Sequence, residues 1–149
     1  MTREQIIIKN KKASFEYAFL DTFTAGIMLT GTEVKAIRDG KATLSESFCV
    51  LINGDLWIKN MHISEYKQGS YNNHEPKRLR KLLLNKKELL KIQSKLKEKG
   101  VTIIPIQLYF NERGFAKLEI AVARGKKTFD KREDIKKKDQ QREIARVIR

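Results

Sequence analysis

Cysteine is almost missing from this chain. Cys49 stands alone, which excludes an internal disulfide and any C-x-x-C motif, and suits a reducing compartment. Long apolar runs are missing too. The three isoleucines at Ile6 to Ile8 fall far short of a signal-peptide core or a membrane span. The expectation is a soluble, cytoplasmic protein with no membrane partner. Around Cys49, His62 and His74 there is no metal-ligand spacing, and no H-E-x-x-H occurs. All eight glycines are isolated, so no glycine-rich loop stands ready to cradle a phosphate. Carboxylates such as Glu33, Asp39, Glu46 and Asp55 could in principle hold Mg²⁺ for a nuclease, but each has a simpler role as a cap, turn or surface residue. We therefore expect no catalytic residue, no metal site and no cofactor.

Negative charge is also short, with 18 acidic residues against 32 basic ones and a net charge of +14. An excess of that size repels itself unless a polyanion screens it, which makes nucleic acid the leading partner class. The length of 149 residues suits one domain with a sizeable core, plus a tail.

Thr30 to Lys41 reads as a short capped helix. Thr30 and Glu33 have capping-box spacing, Val34 and Ile37 point inward, and Asp39-Gly40 ends the helix. Outward-facing Lys35 and Arg38 leave two readings open: a plain capped helix, or part of a surface that grips a polyanion. A second helix is capped by Asn85 with Glu88 at the third position. Its apolar stripe is Leu89, Ile92 and Leu96, and Lys86, Lys87, Lys91, Lys95, Lys97 and Lys99 occupy the other faces.

Alternation marks six strands, at about residues 15–20, 23–29, 47–52, 56–63, 102–110 and 115–123. The first two are separated by a turn at Asp21-Thr22. Asn53-Gly54 between apolar runs is the strongest hairpin signal in the chain. Pro105 lacks an N–H, so its strand lies at an edge or carries a bulge there. Ile104, Ile106, Leu108 and Phe110 fall on one side of that strand, and Ala116, Leu118, Ile120 and Val122 on one side of its return. Ser64 to Lys77 has no apolar period and reads as a long loop. Its Tyr66, Tyr71 and His74 either stack on bases or pack the loop down. Six mostly antiparallel strands with inserted helices suggest a mainly β fold built as a small closed barrel.

Composition changes at Gly125. The 25 residues from there to Arg149 hold ten basic and five acidic side chains, with no apolar residue between Ile135 and Ile144. Such a segment buries too little to offset backbone ordering. The expected division is a barrel over 1–124 and a basic tail over 125–149, disordered when free and helical on a polyanionic surface. Ile144, Val147 and Ile148 would form a short apolar patch on that helix. The basic patches offer Lys11, Lys12, Arg80 and Lys81 as phosphate contacts beside Lys35 and Arg38. Such contacts give affinity without sequence readout.

Several blocks also match a known family. They are Asn10-Lys11-Lys12-Ala13, Ala25-Gly26, Gly31-Thr32-Glu33-Val34-Lys35 with Ile37-Arg38, and Asn60-Met61-His62-Ile63. Further on come Asn73-His74-Glu75-Pro76, Arg80-Lys81-Leu82-Leu83-Leu84, and Gly125-Lys126-Lys127 with Asp130-Lys131-Arg132. In this order, over about residues 9–149, the chain resembles the small protein B family, the bacterial proteins that bind transfer-messenger RNA. The resemblance implies an oligonucleotide-binding (OB) type barrel that grips the transfer-RNA-like part of that RNA. It also implies a tail that turns helical in the vacant messenger channel of the 30S ribosomal subunit, against its ribosomal RNA. The activity implied is trans-translation, with elongation factor Tu reached indirectly through the charged RNA, by a monomeric protein. Carried over by position, Asn10, Glu33, Leu83, Asn85, Lys126 and Lys127 join the RNA-facing set. Phe129, Asp130, Lys131, Arg132, Lys136, Lys137, Lys138, Ile144, Val147 and Ile148 form the ribosome-facing tail. Ser14-Phe15 departs from the family's usual arginine-histidine, and Phe129 from its usual histidine or tyrosine. The alternatives are a general ribosomal or translation-factor barrel without preference for transfer-messenger RNA, and a metal-dependent nuclease.

Overall fold

The computed structural model describes residues 7–67 and 73–126. The elements run β1 (Ile7–Lys9), α1 (Ala13–Glu16), β2 (Tyr17–Ile27), α2 (Gly31–Arg38), β3 (Ala42–Thr43), β4 (Phe48–Ile52) and β5 (Asp55–Lys59). They continue with β6 (His62–Ile63), β7 (Arg80–Leu83), α3 (Lys86–Leu96), β8 (Val101–Phe110) and β9 (Ala116–Gly125). Strands β8, β4, β5, β7, β2 and β9 pair edge to edge in that order, and β9 pairs back onto β8. Every pairing is antiparallel, and the β8–β9 pairing closes the ring of six. β1 shares the β4-side edge of β8, with Lys9 opposite Gln107. β3 and β6 form a separate two-stranded ribbon.

The mainly β, antiparallel ring is the expected class, but its six strands are a different six. No turn interrupts residues 17–27. The local signal at Asp21 is real, since its carboxylate accepts a hydrogen bond from the Thr22 N–H at 2.9 Å. It produces a bulge instead: Phe19 pairs with Ala123 and Asp21 with Val122, leaving Leu20 as the extra residue. Ala25 and Ile27 reach the core, whereas Phe19 stays 38% exposed. Phe15, expected in a strand, lies in α1. The missing strand is β7. Alternation does not mark it, because a four-residue strand with Arg80 at an inward position breaks the apolar pattern. Residues 56–63 are likewise not one strand: Asn60 takes a φ of 66°, and His62–Ile63 leaves to pair with Ala42–Thr43.

Pro105 does mark a bulge, with Pro105 opposite Ile120, Gln107 opposite Glu119 and Ile106 unpaired between them. That extra residue reverses the facing of half of β8. Ile103, Leu108 and Phe110 enter the main core, while Ile104 packs with Ala13, Ala121 and Ala123 in a smaller cluster that Ile106 flanks. Ala116, Leu118, Ile120 and Val122 line the core side of β9 as the alternation implies. Asn10 clamps the bulge: its Nδ2 donates to the Pro105 carbonyl at 2.9 Å, and its N–H donates to the Ile106 carbonyl at 2.8 Å. At the β4–β5 turn, Asn53 and Gly54 take φ values of 52° and 84°, the left-handed geometry that a two-residue hairpin needs.

Both longer helices form as their caps dictate. Capping boxes are present at Thr30/Glu33 and at Asn85/Glu88. Ala36 and Ile37 of α2 and Ile92 of α3 enter the barrel core, with Leu89 and Leu96 packed against it. Replacing the fully buried Ile92 by Ala should cost about 2–5 kcal/mol through the cavity it leaves. Replacing Leu90, 54% exposed on the same helix, by Ala should cost under about 0.5 kcal/mol. Urea denaturation midpoints of the two variants test the difference.

Candidate nucleic-acid interface

Glu33 is fixed first by its own helix. Its carboxylate accepts the Thr30 N–H at 2.8 Å, and its own N–H donates to the Thr30 hydroxyl at 3.4 Å. The side chain is nevertheless fully buried, because β7 and the residues leading into it bring two arginines to it. Arg78 Nη2 donates to Oε1 at 2.6 Å, and Arg80 Nε donates to Oε2. Arg80, also fully buried, spends its remaining N–H groups on the Met61 carbonyl at 2.7 Å and the Pro76 carbonyl at 3.0 Å. A buried guanidinium is tolerable only when paired and hydrogen-bonded in this way. Burial by itself would raise the Glu33 carboxyl, and is the largest single influence. The bonds from Arg78, Thr30 and Arg80 together outweigh it and hold the group below its ordinary value of 4.5.

The long loop is tied to the same place. Asn73 clasps Tyr66, donating to its carbonyl at 2.6 Å and accepting its N–H at 3.1 Å. His74 is buried. Its Nε2 faces the Ile63 carbonyl at 2.9 Å and must donate, so Nδ1 accepts from the Thr32 hydroxyl at 2.8 Å. His74 therefore packs the loop down onto α2 and offers no face for a base. Tyr66 receives the Lys35 ammonium over its ring at 5.6 Å, while Tyr71 lies outside the described residues.

The residues singled out from the sequence thus fall into different places. Glu33 and Arg80 are interior and build the frame. Asn10 spends its amide on β8. Lys35 and Arg38 are exposed but engaged, Arg38 lying 5.3 Å over the Phe110 ring. Lys11, Lys12 and Asn85 are exposed. Lys81 stands 3.6 Å from Asp55. Lys126 follows β9, with its N–H on the Glu16 carbonyl at 2.9 Å. Lys127 and the tail positions Phe129, Asp130, Lys131, Arg132, Lys136, Lys137, Lys138, Ile144, Val147 and Ile148 lie outside the described residues.

One surface brings Lys81 and Leu83 together with residues the sequence did not single out. Along the β2–β7 seam, Gly26 pairs with Leu83 and the Met28 N–H donates to the Lys81 carbonyl at 3.0 Å. Met28, Leu79 and Leu83 are 52%, 36% and 50% exposed there. Gly26 makes room for Leu83, since a Cβ at that position would lie 3.2 Å from the Leu83 Cβ. A lone glycine inside a strand is the one sequence signal for this close approach; Met28 and Leu79 carry no such signal. An apolar strip beside a lysine can meet sugars and bases while the cation meets a phosphate. Among the described residues, no group of three His, Cys, Asp or Glu side chains could hold a metal. Burial pushes the Cys49 thiol well above its ordinary value, which leaves it a core residue without nucleophilic character.

A family model described as SmpB protein matches residues 7–149. The chain belongs to the SmpB family. The SsrA-binding protein of Bacteroides thetaiotaomicron is 57% identical over 149 residues, which is 100% of this chain and 99% of that one. That of Phocaeicola vulgatus is 58% identical over 144 residues, covering 97% and 96% of the two chains. A solved structure described as "tmRNA-SmpB: a journey to the center of the bacterial ribosome" matches with a TM-score of 0.72 at 44% identity, covering 87% of this chain and 94% of that one. The SmpB match continues beyond the described barrel, so the basic segment after Lys126 is part of what the family shares.

Glu33 yields a pH prediction. Its carboxyl binds protons less readily in the folded protein than in the unfolded chain, so acid favours unfolding. Its stabilisation is complete above about pH 5 and is lost as pH falls through 4.5 and below. Glu33→Gln keeps the cap but strands two arginine charges. It should cost about 3–5 kcal/mol at pH 7 and flatten the acid limb of the stability curve. Urea titrations of both proteins between pH 7 and pH 4 check both points.

Proposed function

We propose that this chain binds the transfer-RNA-like part of transfer-messenger RNA and brings it to stalled ribosomes, the central step of trans-translation. The observation that carries this reading is full-length kinship with SsrA-binding proteins, combined with an exposed apolar and basic strip along β2–β7. The strip meets the RNA, with Leu83 and Met28 against sugars or bases and Lys81, Lys11 and Lys12 near phosphates. Glu33 and Arg80 act behind it by holding α2, β7 and the loop in register. Residues 1–124 then form the RNA-binding unit, and 125–149 a basic tail that becomes helical on the small subunit and its ribosomal RNA. Phe129 stacks on a ribosomal base there, while Lys131, Arg132 and Lys136 to Lys138 face phosphates. Elongation factor Tu meets the assembly only through the charged RNA. The protein acts in the cytoplasm by binding alone, with no bond made or broken on its own surface.

The test is to capture the protein from a bacterial lysate and sequence the bound RNA. Dominant enrichment of transfer-messenger RNA is expected, whereas an even spread of ribosomal RNAs would leave a general RNA-binding barrel instead. With the purified RNA, log K should fall against log salt by roughly 0.7–0.9 per neutralised phosphate. Truncation after Lys127 should keep most of that affinity and abolish ribosome rescue in a reconstituted translation assay.

A further inference from the structure

Helix α3 carries a group of cations for which the barrel itself has no use. At 3.6 residues per turn, Lys86, Lys97, Leu90, Ser94, Lys87 and Lys91 fall, in that angular order, within an arc of about 140°. All six are exposed. The opposite side holds Ile92, Leu89 and Leu96, packed in or against the core. Within the helix itself, Lys86–Leu96, no acid stands in the outer arc. Glu88 is held in the capping box with Asn85, and Glu98 lies 3.5 Å from Arg124. Lys95, at the border of the arc, lies 3.8 Å from Asp21. Among the described residues, no ion pair or ring contact engages Lys86, Lys87, Lys91 or Lys97.

The contrast with α2 is physical. There Lys35 and Arg38 each rest on an aromatic ring of this chain. On α3, Lys87, Lys91 and Lys95 repeat at i and i+4, a like-charge ladder that opposes helix formation. Within Lys86–Leu96 no glutamate is interspersed in this face to relieve the ladder, and Glu98, just past the helix end, is turned to Arg124. Leu90, near the middle of the arc, keeps 54% of its surface in solvent. A large apolar side chain ringed by unpaired lysines resembles the β2–β7 strip in chemistry. It also follows from it in the chain: Leu83, 50% exposed, is separated from Lys86 only by Leu84 and the cap Asn85.

We propose that the outer face of α3 is a second phosphate-contacting surface, which takes the sugar–phosphate backbone of the same RNA that the β2–β7 strip binds. The assignment rests on the RNA-binding reading above and extends it. Lys86 to Lys97 span about 16 Å along the helix axis, so the face lengthens the footprint by several phosphates. Leu90 lies against ribose between them. Contacts of this kind read no sequence; they add affinity and fix the orientation of the RNA arm on the protein.

The experiment compares binding of transcribed transfer-messenger RNA by the full chain and by a variant with Lys86→Gln, Lys87→Gln, Lys91→Gln and Lys97→Gln. A second variant removes the same charge elsewhere, with Lys41→Gln, Lys59→Gln, Lys67→Gln and Lys77→Gln, all exposed positions. Circular dichroism melting checks that both variants fold like the parent. Loss of the α3 lysines should lower the slope of log K against log salt by about 3, at roughly 0.7–0.9 per contact, and weaken binding at least tenfold. The charge-matched variant should lose less than half as much. Parent-like binding by the α3 variant, an equal loss in the matched variant, or a loss seen only with isolated 30S subunits would each overturn the proposal. If the parent itself binds this RNA without salt dependence, the underlying RNA-binding reading fails first and the α3 face goes with it.

Discussion

The contact between Glu33 and the two arginines of the β7 region organises the rest of the molecule. A carboxylate and a guanidinium are both wholly withdrawn from water at Glu33 and Arg80, and the desolvation of each is tolerable only because the other is present. Through Glu33 the cluster holds the N-terminus of α2. Through Arg80 it holds β7 and, by the Met61 and Pro76 carbonyls, the residue that precedes β6 and the later part of the loop that joins β6 to β7. β7 is the strand that joins β5 to β2. Without a neutralising partner at its inward arginine, the ring would have to close around a bare buried charge.

This arrangement divides the cations of a strongly basic chain by task. Arg80 is structural and Arg78 half so. Lys35 and Arg38 lean on rings, while Lys81 and Lys95 stand beside carboxylates. Among the described residues, the other outward cations include the lysines after β1 and the outer arc of α3, with Lys41, Lys59, Lys67 and Lys77 exposed elsewhere on the surface. These surfaces lie apart from the buried frame of Glu33 and Arg80.

Two bulges give the barrel its curvature. Leu20 in β2 and Ile106 in β8 are the unpaired residues, and both interrupt strands that pair with β9. An extra residue bends its strand and adds local twist, which long strands need in order to curl into a small ring. At Pro105 the missing N–H makes the irregularity inexpensive, and Asn10 satisfies the carbonyls on either side of it.

Much of this was legible before any tertiary contact was known. The two capping boxes, the Asn53-Gly54 hairpin, the stripe of α3, the bulge at Pro105 and the core side of β9 were all read correctly. Each is decided by residues within a few positions of one another, whose hydrogen bonds or φ values depend on little else. The basic surface was legible for a similar reason, because charge is counted rather than folded. The continuity of β2, the existence of β7, and the interior place of Glu33, Arg80 and His74 were settled only in the folded chain. Alternation assumes that an inward position is apolar and that the pleat never slips. The Leu20 bulge breaks the second assumption and Arg80 the first. The partner that makes Arg80 acceptable lies 47 residues earlier in the chain, a separation at which no local pattern carries information and only the closed barrel brings the two together.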